Sequence, residues 1–169
     1  MKKILTIILP LLSFVFISIA QVGFVDTKYV LNKMPEYQEA QKQLDQLGIQ
    51  WQREIDNMQA VLNKMNIDFN AEQAMLSDDI KKKRQDEIAN KEKEVRDLQR
   101  KHFGFDGDLF TKREQLVNPI KDRVNNAVQR IAVSLNYKIV LDKSEGITVM
   151  FADKKLDITE NVIRELSIK

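Results

Sequence analysis

Residues 37–69 read YQEAQKQLDQLGIQWQREIDNMQAVLNKMNIDF, and their apolar residues recur at helical spacing. Tyr37, Ala40, Leu44, Leu47, Trp51, Ile55, Met58, Leu62, Met65 and Phe69 follow one another at intervals of three or four residues. That is the seam of an amphipathic helix packed lengthwise on a partner. It departs from strict alternation once, at Leu47-Trp51-Ile55, where two intervals of four follow each other and shift the seam. A helix of about 40 residues reaches roughly 60 Å. The whole chain has 169 residues, so such a helix must project from the body formed by the rest.

Working back from this helix, Met34-Pro35-Glu36 interrupts the chain. Pro35 suits the first helical turn, and Glu36 and Glu39 suit its positive end. Val22-Gly23-Phe24-Val25 has strand character, and Asp26 or Thr27 can cap a short helix through Leu31. Working forward, the stretch Ala74 to Asp79 reads as the far turn, with Ser77 as N-cap and Asp78 and Asp79 behind it. A second helix runs past Arg100 with a sparse apolar stripe, Ile80, Ile88, Val95 and Leu98. Its remaining surface is charged and solvated. The run from His102 to Phe110 holds Gly104 and Gly107 and breaks the pattern. Helical spacing resumes at Val117, Ile120, Val124, Ala127, Ile131 and Leu135, with a kink expected at Pro119. Near the end, residues 137–142 and 147–152 read as strands joined by a turn at 143–146. Asp157-Ile158-Thr159-Glu160 opens a last short helix whose apolar side is Val162, Ile163 and Leu166.

The first twenty residues belong to none of this. Met1-Lys2-Lys3, an apolar run from Ile4, and Ser18-Ile19-Ala20 make a secretory signal peptide, with cleavage expected after Ala20. The chain carries 27 Lys+Arg against 25 Asp+Glu. Lys2 and Lys3 account for the whole excess, so the exported part is formally neutral. A neutral exported chain disfavours nucleic acid as a partner. With no Cys and a single His, disulfides, thiol catalysis and multi-histidine metal sites are excluded. No Gly-rich phosphate loop is present, and no cofactor or metal is expected.

Several residues invite a functional reading. Met58, Met65 and Phe69 lie on the seam, which first assigns them to packing. With Met75 they also offer adaptable apolar contacts, which suit varied partners because they re-pack. Phe103, Phe105 and Phe110 flank the glycine break and are expected to pack where arm meets body or to face a cavity. Lys81, Lys82, Lys83 and Arg84 suit an anionic lipid headgroup or lipopolysaccharide. Their plainer reading is a solvated face balanced by Asp78, Asp79, Asp86 and Glu87. Asp106-Gly107-Asp108 is too short of oxygen ligands for calcium. His102 reads as a surface or seam residue, since no Ser, Cys or paired-carboxylate constellation accompanies it. No catalytic residue is assigned, and an enzyme is not expected.

In order and spacing, the chain resembles the Skp/OmpH family of periplasmic chaperones. The resemblance rests on Val22-Gly23-Phe24-Val25-Asp26, Met34-Pro35-Glu36-Tyr37, Tyr137-Lys138-Ile139-Val140-Leu141-Asp142 and Asp157-Ile158-Thr159-Glu160-Asn161-Val162-Ile163. The segment Phe103 to Phe110, followed by Pro119, resembles the version found in Bacteroidetes-type bacteria. The resemblance implies an α+β, mostly α fold. A long antiparallel helical hairpin, residues 36–136, projects from a small β-rich trimerisation body, residues 21–35 and 137–169. It further implies a homotrimer whose arms enclose unfolded outer-membrane β-barrel proteins without ATP. The contrasting expectation is a trimeric coiled-coil spacer or tether of the cell envelope.

Overall fold

The computed structural model describes residues 22–144, 146 and 150–168. The expected signal peptide lies outside them. The order is β1 (Val22–Val25), α1 (Thr27–Lys33), α2 (Pro35–Glu72), α3 (Asp78–Phe103), α4 (Asp108–Ser134), β2 (Ile139–Asp142) and α5 (Thr159–Glu165). Short 3-10 turns at Gln73–Met75 and Lys154–Leu156 complete it.

The long helix forms as its spacing requires. Pro35 begins α2, where its missing N–H costs nothing, and the helix continues for 38 residues, about 57 Å. Ala40, Leu44, Ile55 and Leu62 of the seam are buried, and the remaining seam residues are half-buried. At the far end Ser77 stands at the N-cap of α3, but its side chain caps nothing. Asp78 and Asp79 occupy the first turn, where the helix dipole favours them. α4 runs on through Pro119 without a break.

The returning limb is two helices. α3 lies along the distal half of α2 and α4 along its proximal half. Two apolar clusters result. The larger joins Val25, Val30, Leu31 and Met34 to Ala40 and Leu44 of α2, Val117 to Ala127 of α4, and Ile158 and Val162. The smaller is the distal seam of Ile55, Leu62, Ile88 and Val95, with Met58, Met65, Phe69 and Leu98 packed on it. The shift of spacing at Leu47-Trp51-Ile55 falls between the clusters, opposite the break between α3 and α4.

The small sheet pairs the two ends of the chain. β1 and β2 are parallel, in register Val22 to Ile139 and Val25 to Asp142. Phe24 also accepts from the Ile158 N–H at 2.8 Å, so the segment before α5 docks on β1. The expected hairpin partner of β2 falls largely outside the described residues, at 147–149. Its last part, Met150 to Ala152, is not strand, and Met150 and Phe151 are exposed. α4 ends in a Schellman motif. Asn136 takes a left-handed φ of 58°, and the Tyr137 N–H reaches the Ala132 carbonyl at 2.9 Å.

Candidate functional site

A side-chain network ties the body together. Asp26 caps α1 by accepting from the Tyr29 N–H at 2.8 Å. Thr159 Oγ1 accepts from the Asp26 N–H at 3.0 Å and donates to Asp157 Oδ1 at 2.5 Å. Lys143 reaches Asp157 at 2.6 Å. Burial works against the charge of Asp157, but bonds from Lys143 and Thr159 outweigh it and lower its pKa. The Lys143 ammonium is correspondingly held by Asp157, above its ordinary value. Burial likewise opposes the charge of Asp142, and bonds from Thr27 and Ser144 override it. Thr27, Asp142, Tyr37 and Lys121 are among the residues that line an open cleft of about 400 Å³. The single histidine of the chain belongs to the arm, so the cleft holds no imidazole base.

Two cations of α4 near the body are engaged. Arg123 donates to Glu36 at 2.6 Å, joining α4 to the start of α2. Arg130 donates to Glu165 at 2.7 Å, joining α4 to α5.

Halfway along the arm, the 104–107 break forms a knee. It is built by close approach. A Cβ on Gly107 would stand 2.9 Å from the carbonyl oxygens of His102 and Lys101, and one on Gly104 would meet the Arg100 carbonyl. Here the chain passes from the last turn of α3 to the first of α4 with no room for a side chain. His102 is buried, 5% exposed. Its ring stacks on Trp51, with centroids 4.6 Å apart and planes 9° from parallel. Its Nδ1 lies 2.8 Å from Asp108 Oδ2 and its Nε2 3.7 Å from Glu54 Oε2. Asp108 is thus a partner of the imidazole. Among the described residues no three His, Asp or Glu side chains form a metal-holding group. The structure assigns His102 to the seam. One sequence signal points there: it follows Val95 and Leu98 at intervals of three and four.

The residues singled out for an unfolded partner divide in two. Met58, Met65 and Phe69 pack, half-buried, on the distal seam. Met75 at the tip is 82% exposed. Phe103 turns its edge to Trp51 and stays partly exposed. Phe105 is not packed where arm meets body: it is 91% exposed and stacks on the partly exposed Phe110, centroids 6.4 Å apart. The turn at 104–107 is too tight to fold Phe105 inward. Sequence reasoning did not mark Ile49, Val61 and Ile67, which also stand exposed on α2. They lie off the seam spacing, and that is the signal that identifies them.

The basic run is only partly neutralised. Lys81 pairs with Asp78 at 3.6 Å and Arg84 with Glu87 at 3.7 Å. Lys82 and Lys83 are exposed, and among the described residues neither has an acidic partner within 4 Å. No helix among the described residues is long and apolar enough to cross a membrane.

Comparison with known proteins agrees with this architecture. The family model for outer membrane protein (OmpH-like) matches residues 21–166. No curated protein matches the chain. Among solved structures, an OmpH-like protein of Caulobacter crescentus CB15, assigned there as an outer membrane chaperone, superposes with a TM-score of 0.68. It is 13% identical, and the match covers 88% of this chain and 85% of that one. At that identity the likeness establishes the fold.

Proposed function

Since this chain belongs to the OmpH-like outer membrane protein family, we propose that it is an ATP-independent holdase chaperone. On this reading it is exported to the periplasm, its signal peptide cleaved after Ala20. It holds unfolded outer-membrane β-barrel proteins and prevents their aggregation. The observation that carries the proposal is the surplus of apolar surface on the arm. The seam is already filled by α2, α3 and α4, yet Met75, Phe105 and Phe110 remain in solvent. Met and aromatic side chains suit varied partners because they re-pack.

The arms act together in this proposal. Val133, Ile139, Met150 and Phe151 stand exposed on and near the body, and an apolar surface of that kind is what a homotrimer would bury. Three arms then enclose one client, and many weak contacts retain it without a strong one. Release follows when the client buries its own apolar surface in the membrane. Lys82 and Lys83, with Lys81 and Arg84 beside them, offer a transient contact to an anionic headgroup at the arm tip. With a neutral exported chain, long-range steering of clients is weak.

The rival reading, a trimeric helical spacer or tether of the envelope, draws on the solvated outer face of α3. There Lys91–Glu94 and Arg96–Glu92 pairs line the surface. Light scattering separates the two. A urea-denatured β-barrel protein is diluted into excess mature protein. The holdase reading expects scattering to be suppressed, and unchanged aggregation rejects it.

A further inference from the structure

We propose that His102 is a proton-operated latch at the knee: with a second proton its ring bonds Asp108 and Glu54 together, tying α2 to the junction of α3 and α4. Nothing in this depends on what the arm holds. A neutral imidazole has one N–H. Spent on Asp108 at 2.8 Å, it leaves the Nε2 lone pair facing the Glu54 carboxylate at 3.7 Å. In that state α2 gains nothing from the ring beyond stacking. The imidazolium donates from both nitrogens, so Glu54 becomes a partner on α2 while Asp108 remains one on α4.

The surroundings contain the other ingredients of a latch. The charged residues that flank Trp51 and the knee in sequence are Arg53 and Glu54 on α2, Asp97, Arg100 and Lys101 on α3, Asp106 in the turn and Asp108 on α4. Arg100 is engaged with Asp97. Among the described residues Glu54 and Asp108 are the only acidic side chains within 4 Å of an imidazole nitrogen. The Trp51 face lies parallel to the ring at 4.6 Å, and an indole face attracts a cation. His102 also occupies the last turn of α3, where the helix dipole favours positive charge. Burial of the ring opposes these contacts.

Position gives the latch its leverage. Between Leu44 and Ile55 no residue of α2 is buried, and the stacked pair Trp51 and His102 lies at this level, between the two apolar clusters. A polar tie at this level sets how firmly the distal arm is held to the proximal half. Gain of the second proton tightens the knee and its loss loosens it.

The chain holds one Trp and one His, and they are stacked, so the test reads a single contact. An imidazolium stacked on indole quenches its emission far more than the neutral ring does. Emission of the mature protein is followed as pH is lowered from about 8 to about 5. Quenching on acidification is expected, and its absence in His102→Gln. Hydrogen exchange at the knee, corrected for the intrinsic pH dependence of exchange, is measured at both ends of the range. It is expected to slow about two- to fivefold in acid, the effect of a partly exposed ion pair. Glu54→Gln, at an exposed carboxylate, should keep the quenching and lose the slowing. Flat emission overturns the proposal. So does quenching with unchanged exchange, and so does full slowing in Glu54→Gln.

Discussion

Gly107 lies so close under His102 that a Cβ on the glycine would stand 2.9 Å from the His102 carbonyl oxygen. The turn between α3 and α4 therefore depends on a missing side chain. Its φ of −74° is ordinary, so the demand is for space. Gly107→Ala is expected to destabilise the mature protein by about 1–3 kcal/mol, as for other substitutions that displace packed backbone. Gly48 is the internal control. It lies within α2 and a Cβ there meets nothing within 4 Å. Gly48→Ala should stabilise by about 0.5–1 kcal/mol through helix propensity. Urea melts of both variants measure the contrast.

The methionines divide by burial. Met34 is fully buried in the body core, and Met34→Ala should cost about 2–5 kcal/mol. Met75→Ser and Phe105→Ser remove exposed side chains and should change stability by no more than about 0.5 kcal/mol. If the arm holds clients, that pair weakens suppression of barrel aggregation at unchanged melting temperature. Full suppression by the double variant would remove these two residues from the client surface.

The body carboxylates set an acid limit. Asp142 and Asp157 have folded pKa values below their ordinary ones. Such groups contribute stability in full above the unfolded value, about 3.9, and lose it as pH falls through the lowered folded value. The body should therefore weaken below about pH 4. Thr27→Val removes a bond to Asp142, so its stability deficit should be largest at neutral pH and shrink in acid. Thermal melts between pH about 7 and 3 report both effects. Lys143 has the opposite sign, its raised value implying a loss only at strongly alkaline pH.

Asn136 holds a left-handed turn, φ 58°, at the end of α4. Asn136→Val should cost about 1–2 kcal/mol, because a β-branched residue is strained there, whereas Asn136→Gly should be tolerated. Chemical denaturation of the two variants gives the difference directly.

Most of the helical architecture was legible in the residues themselves. The seam from Tyr37 to Phe69, the start at Pro35 and the break at Gly104 and Gly107 each depend on preferences acting within a few positions. The change of spacing at Trp51 also marked where the partner helix is interrupted, although the spacing alone did not say so. Local reading failed in the knee. Of the two places open to Phe105, packing where arm meets body is excluded by its 91% exposure. His102 offered no chemical constellation in sequence, because Trp51, Glu54 and Asp108 reach it from different helices.

Readable from the residues alone were a long projecting hairpin, the places where its helices break, the balanced charge of residues 21–169, and the absence of thiol and multi-histidine chemistry. Helix periodicity, backbone freedom and composition are local, and one chain states them completely. Tertiary structure alone decided that β2 lies parallel on β1, that Asp157 and Thr159 close the body against Asp26, and that the only His stacks on the only Trp. Those contacts depend on how helices align side by side and how distant segments meet. The energy that selects them is shared by residues far apart in the chain.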